Sequence, residues 1–251
     1  MKNIDLAYEY AQEGFRRSSQ DEETVLFMSK VLVKQGRMVE SLSVLEQSLS
    51  TLNSSLPVLM ERAKLTRAVH GINSALPMFR ELSEMFPDNV EVLKWLVKTQ
   101  VEVGDYRAAE HSAREALRIA PSEADINFLM GQMQRRAGQL DQAIHYLSEA
   151  IRQSPSQIDP YLELGKAYEE RREYLMALRI YQQAIKVSPK DYRPYYLAGL
   201  MLKESKDYGG AESMLRHAAE LAPEEINIRK VLGVVITLNL VHNSLEAKVI
   251  V

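Results

Sequence analysis

Residues 158–191 read IDPYLELGKAYEERREYLMALRIYQQAIKVSPKD. The stretch holds two apolar helical patterns, the first through Tyr161, Leu164, Gly165 and Tyr168, the second through Ala177, Tyr181 and Ala184, and it closes at Pro189. Stepping outward by 34 residues meets the same residue types again. Prolines stand at Pro87, Pro121, Pro155, Pro189 and Pro223, alanines at Ala109, Ala143, Ala177 and Ala211, and a second set at Ala116, Ala150, Ala184 and Ala218. Gly131, Gly165 and Gly199 form a further column, while Phe79, Leu147, Tyr181 and Leu215 supply a column of large side chains. So strict a period is that of stacked two-helix units, each handing its apolar face to the next at a constant rotation. Small residues alternating with large ones let paired helices reach interior packing density.

These columns resemble the tetratricopeptide repeat family, whose pattern runs W-x2-L-G-x2-Y, then A-x3-F, then P. Residues 158–191 match best, with Tyr161 in the tryptophan place. Residues 192–225 and 124–157 keep glycine, both alanines and proline, whereas 90–123 has Val97 where glycine is expected. The match thins in 56–89, which has Arg62 and Ala63 at the Leu-Gly step, and in 22–55, which has Asn53 in place of proline. The resemblance spans about four-fifths of the chain. It implies an all-α fold, a right-handed α-α superhelix (solenoid) of 34-residue helix-turn-helix repeats, in one array. Six repeats occupy 22–55, 56–89, 90–123, 124–157, 158–191 and 192–225. Residues 2–19 read as a second helix without its first, and 226–251 as a C-terminal capping helix over 226–240 with a short tail.

Glycines Gly36, Gly104 and Gly138 mark the breaks between paired helices, where a left-handed cap carries no Cβ penalty. Pro57, Pro160 and Pro194 fall in first turns, where a missing N–H costs little. Pro77 falls inside a second helix and removes a hydrogen bond there. With its poor small-residue step, 56–89 is expected to be the softest joint.

Composition fits this fold class. Apolar residues make up 46% and charged residues 26% of the 251, the formal net charge is −3, and no apolar stretch reaches the length of a membrane span. The first residues lack the apolar run of a signal peptide, and cysteine is absent, which removes disulfides and thiolate metal sites. The expected location is cytoplasmic. The sequon at Asn53 reads as loop polarity.

In the family, ligands meet the concave face lined by the first helices, and the resemblance turns three columns inward. The ninth place reads Lys30, Lys64, Lys98, Gln132, Lys166 and Leu200. The twelfth includes Arg67, Arg135, Glu169 and Lys203; the fifth includes Leu26, Met60, Lys94, Phe128, Leu162 and Tyr196. Eight basic residues thus stand against one acid on a chain that is acidic overall. The expected ligand is an extended acidic–hydrophobic segment of a partner protein, with Lys30, Lys64, Lys98 and Lys166 as charge ladder. Arg67, Lys94, Arg135 and Lys203 support that ladder, and Phe128, Leu162 and Tyr196 are the apolar anchors. Exposed ion pairs supply only about 0.2–1 kcal/mol each, whereas a micromolar complex needs about 8 kcal/mol, so apolar anchors must carry much of the binding. Acids near helix starts, Glu23, Glu91, Asp125 and Asp159, suit the helix dipole.

Other chemistries find little support. His70, His111, His145, His217 and His242 are scattered over different repeats with no second ligand at helical spacing, so no metal or cofactor is expected. Gly165-Lys166 lacks the upstream glycine of a phosphate loop, Gly209-Gly210 reads as a turn, and Trp95 reads as core. Lysine followed four residues later by asparagine, the family's clamp for a terminal carboxylate, does not occur. An acidic chain without an aromatic ladder does not suggest a nucleic-acid reader, nor does it suggest a membrane protein. The reading is a non-enzymatic interaction scaffold. Two alternatives stand beside it: a recognition segment of a larger enzyme or assembly, such as a protein-modifying sugar transferase, and self-association through the terminal helices, with a homo-oligomer formed by the apolar C-terminal helix.

Overall fold

The computed structural model describes residues 2–249, with side chains placed over residues 4–244. All regular structure among them is helical. The helices run α1 (Lys2–Arg17), α2 (Glu22–Lys34), α3 (Met38–Ser48), α4 (Leu56–His70), α5 (Ile72–Met85), α6 (Val90–Val103) and α7 (Tyr106–Ile119), then α8 (Ala124–Arg136), α9 (Leu140–Gln153), α10 (Ile158–Glu170), α11 (Tyr174–Val187), α12 (Tyr192–Glu204), α13 (Tyr208–Leu221) and α14 (Ile226–Val249). They gather into two compact units, Met1–Pro121 and Ser122–Val251. Within each unit successive helices pack on one another, and the fold class is the all-α helical-repeat superhelix.

Local chemistry starts each helix at the same phase. The residues preceding the first helices are Asp21, Ser55, Asn89, Glu123, Gln157 and Asp191, again 34 apart. Asp21, Ser55 and Asn89 accept the backbone N–H three residues on, at 2.9, 3.3 and 3.1 Å. Asp191 accepts that of Arg193 at 2.9 Å. Each such cap stabilises by about 1 kcal/mol. Between paired helices the chain turns through left-handed residues, Gly36 (φ 78°), Gly104 (φ 84°) and Gly138 (φ 74°). Arg172 (φ 63°) and Lys206 (φ 64°) occupy the same column without being glycine. The packing of the repeat therefore imposes the turn, at roughly 1–2 kcal/mol where a Cβ is present.

The glycines of the first helices explain the close pairing. A Cβ at Gly131 would lie 2.5 Å from Cγ of Leu147, one at Gly165 2.2 Å from Cε1 of Tyr181, and one at Gly199 2.8 Å from Cγ of Leu215. Each large side chain of a second helix thus seats directly on the backbone of its first helix. In 90–123 the sizes trade, with Val97 and Ala113 both fully buried. Tyr161 and Tyr195 fix the repeat-to-repeat step by donating to the carbonyls of Pro155 and Pro189, at 3.1 and 3.2 Å. Helix α5 continues through Pro77, and Ala75, Phe79 and Leu82 around it are buried.

The C-terminal helix differs from its expected span. It runs unbroken to Val249 instead of ending near Leu240; Ile250 and Val251 lie outside the described residues. Leu240 stands in the column that holds the left-handed turn elsewhere, and neither glycine nor proline follows it. Without a breaker, the helix goes on.

The glycine contacts make a paired prediction. Replacing Gly165 by alanine overpacks Tyr181, an effect of about 1–3 kcal/mol at its upper end for so short an approach, against a helix-propensity gain of about 1 kcal/mol. Gly233, whose Cβ would meet nothing within 4 Å, gives the gain alone. Thermal unfolding should show a lower Tm for Gly165→Ala and an unchanged or higher Tm for Gly233→Ala.

Candidate functional site

The first helices of the second unit line an open cavity of about 530 Å³. Phe128 on α8, Leu162 on α10, Tyr196 and Leu197 on α12 and Ile228 on α14 give it an apolar lining. Phe128, Leu162 and Tyr196 meet there because they occupy one place in three successive repeats. Leu162 is buried and forms floor rather than rim, while Phe128 and Tyr196 are half-buried. Lys166, Arg193, Asp159 and Glu163 supply the polar part of the wall. Arg193 is tied to Asp191 at 2.7 Å and to Asp159 at 2.9 Å.

Most of the expected basic residues have intramolecular partners. Glu163 accepts from Lys166 at 2.8 Å and from Arg135 Nε at 2.9 Å, and Arg135 also bonds Glu170. Arg135 and Glu163 keep only 17% and 12% of their side-chain surface. Burial pushes the Glu163 carboxyl up, but Lys166 and Arg135 outweigh it and hold it below the usual carboxylate range. Glu169, the one acid in the inward columns, accepts from the buried Tyr181 hydroxyl, and burial raises its pKa. Lys203 pairs with Glu204 at 3.0 Å.

The first unit gathers its basic residues around an aromatic ring. Lys64 Nζ, Lys98 Nζ and Arg67 Cζ lie 4.9, 5.2 and 5.9 Å from the centroid of Trp95. The indole stacks on Phe79 at 5.8 Å and donates Nε1–H to Glu91 at 3.0 Å. Glu91 also approaches Lys94 at 3.2 Å and Lys64 at 3.7 Å, and Arg67 pairs with Glu102. Lys30, on α2, and Lys98 are exposed, and no acid among the described residues lies within ion-pair distance of either. Trp95 is half-buried: it packs on the core cluster of Met60, Phe79 and Leu96, as expected, and also meets the three cations.

The sequence columns placed Glu91 at a helix start but missed the compensating acids Glu102, Glu163, Glu170 and Glu204. Two signals could have found them. Glu91–Lys94 and Glu163–Lys166 are three residues apart on one helix, where side chains meet. Arg67–Glu102 and Arg135–Glu170 both span 35 residues, a fixed step from one repeat to the next. The five histidines are exposed. Among the described residues no cluster of three or more His, Asp or Glu could hold a metal, and no helix is long and apolar enough to cross a membrane.

Paired helices and glycine sockets define a helical-repeat protein of the protein-interaction type. The model of the tetratricopeptide repeat matches residues 96–158 and 162–226, just over half of the chain, and the chain belongs to that family. No curated protein matches the sequence. Among solved structures it is similar to a tetratricopeptide repeat protein from Parabacteroides merdae, at 16% identity and TM-score 0.67, over 94% of this chain and 93% of that one. It is also similar to a chain of the APC/C hetero-tetramer Cut9–Hcn1, at 15% identity and TM-score 0.72, over 92% of this chain and 46% of the other. YrrB, a TPR protein with an unusual peptide-binding site, matches at 16% identity and TM-score 0.60, over 74% of this chain and 96% of its own.

The Glu163 network sets a pH dependence. A carboxylate with a depressed folded pKa stabilises the fold fully above its unfolded value, and that contribution is lost as pH falls through the folded one. Glu163→Gln should lose about 1.5–3 kcal/mol near neutral pH, the range for a hydrogen bond to a charged group. In denaturant titrations its stability should then fall less steeply than wild type below about pH 4.5.

Proposed function

We propose that the protein is a non-enzymatic scaffold that binds an extended acidic–hydrophobic segment of a partner protein on its first-helix face. The observation that carries this reading is the cavity lined by Phe128, Leu162, Tyr196 and Ile228. An apolar side chain of the partner enters it, and each anchor it buries contributes about 1.5–3 kcal/mol. The peptide-binding site named for YrrB is a precedent within the same fold.

The acidic character of the ligand rests on fewer residues than the columns suggest. Lys30 and Lys98 contact no acid among the described residues, and Lys64 holds Glu91 only at 3.7 Å. A ligand carboxylate beside Trp95 would meet three cations in one place. Arg135 and Lys203 already hold acids of their own, so they shape the face more than they attract. Acids in the ligand add on-rate and orientation, and the apolar anchors supply most of the affinity.

Pull-downs from source lysate test this with two variants. Phe128→Ala/Tyr196→Ala should weaken capture of the specific partner at least about tenfold, since two anchors are worth more than 1.4 kcal/mol. Lys64→Glu/Lys98→Glu/Lys166→Glu should weaken it further as salt falls. Loss in the anchor variant alone refutes the acidic part, and equal capture by all three baits refutes the site.

A further inference from the structure

The repeat itself brings Lys64, Arg67 and Lys98 together in the first unit. Lys64 and Lys98 stand 34 residues apart on the first helices α4 and α6, so neighbouring repeats present them side by side. Arg67 follows Lys64 by three residues and Trp95 precedes Lys98 by three, the spacing at which side chains on one helix meet. All three cations therefore reach one indole, Lys64 at 4.9 Å, Lys98 at 5.2 Å and Arg67 at 5.9 Å from its centroid. Phe79 stacks on that ring and Glu91 accepts its Nε1–H, so the platform is fixed.

Like charges gathered at one place repel unless they are answered. The indole face offsets part of that repulsion, but the acids nearby answer it incompletely. Glu102 holds Arg67, whereas Glu91 lies 3.2 Å from Lys94 and only 3.7 Å from Lys64. Lys98 is exposed, and no acid among the described residues lies within ion-pair distance of it. Arg67 also keeps a buried Nε–H with no acceptor, although buried donors are normally bonded. Three cations face two acids, one of them shared with Lys94.

A compact anion with more than one charge and more than two acceptors completes this set. A carboxylate brings one charge and two oxygens. A phosphate monoester brings nearly two charges and three acceptor oxygens, one for each of Lys64, Lys98 and Arg67, and the guanidinium fork matches its geometry. We infer that this cluster docks a phosphorylated serine or threonine of the partner segment, which makes recognition by the first unit depend on the partner's phosphorylation. Nucleic acid fits less well. Phe79 and the cations already crowd the ring, so a base would have to displace them to stack, and a chain of net charge −3 does not attract a polyanion. The inference rests on the proposed peptide-binding reading for the source of the phosphate; the anion site stands on the first unit alone.

Trp95 is the sole tryptophan of the chain, so its emission reports on this place directly. The full chain is titrated at fixed ionic strength with N-acetyl-O-phosphoserine amide, with the equally capped glutamate, and with oligothymidylate. Phosphoserine draws the ammonium groups off the ring and should change the emission saturably, with half of the effect at about millimolar concentration. Glutamate should need at least about tenfold more, having one charge and one acceptor fewer. Lys64→Ala/Lys98→Ala should weaken phosphoserine binding by about tenfold with helicity unchanged, while Lys190→Ala, exposed in the second unit, should leave it as it is. No saturable response to phosphoserine, or an equal response to glutamate, would overturn the phosphate site. Oligothymidylate acting at a lower phosphate concentration than phosphoserine would overturn the protein source. Either failure leaves the cavity of Phe128 and Tyr196 untouched, since the anchor variant tests that separately.

Discussion

Everything in this molecule depends on how closely the two helices of a repeat approach. At Gly165 the backbone of α10 lies against the ring of Tyr181, with no room for a methyl group. That contact fixes the separation and rotation of the pair, and so the direction in which every other side chain of α10 points. Because Gly131–Leu147 and Gly199–Leu215 repeat it, Phe128, Leu162 and Tyr196 are carried to one wall. The cavity wall they form follows from a steric rule acting several residues away from it.

Electrostatics then decides what kind of surface it is. A chain with a net charge of −3 places basic side chains on the first-helix face, but glutamates from the same helices or the next repeat hold most of them. Pairs such as Arg135–Glu163 are too enclosed to be given up cheaply, because separating them strands a charge in a low-dielectric site. Exposed lysines such as Lys30 and Lys98 have no such commitment. The first unit carries an aromatic ring and the second an apolar cavity, each set among ordered charges instead of in a positive groove.

The fold was legible because its rules repeat. Pro189, Gly165, Ala177 and Tyr181 each recur at a fixed step, and one repeat read correctly gives the others. Also written in the sequence, and easily overlooked, is the cap column from Asp21 to Asp191. The extension of α14 was harder to see, since Leu240 merely fails to break a helix. The site was legible only by place: the columns put Phe128, Leu162 and Tyr196 together but could not show that Leu162 is floor or that Trp95, packed on the core, also meets three cations. Those outcomes depend on what neighbouring side chains cover, and Phe79 against Trp95 is a contact no spacing announces.

The central claim is that recognition occurs on the first-helix face of α8, α10 and α12. A photo-crosslinking amino acid placed at Tyr196, in the cavity wall, and separately at Arg179, exposed on the second helix α11, tests it in source lysate. The account predicts a discrete crosslinked protein from position 196, suppressed by Phe128→Ala, and none from position 179. Equal crosslinking at both positions, or a discrete product from 179 alone, would contradict it.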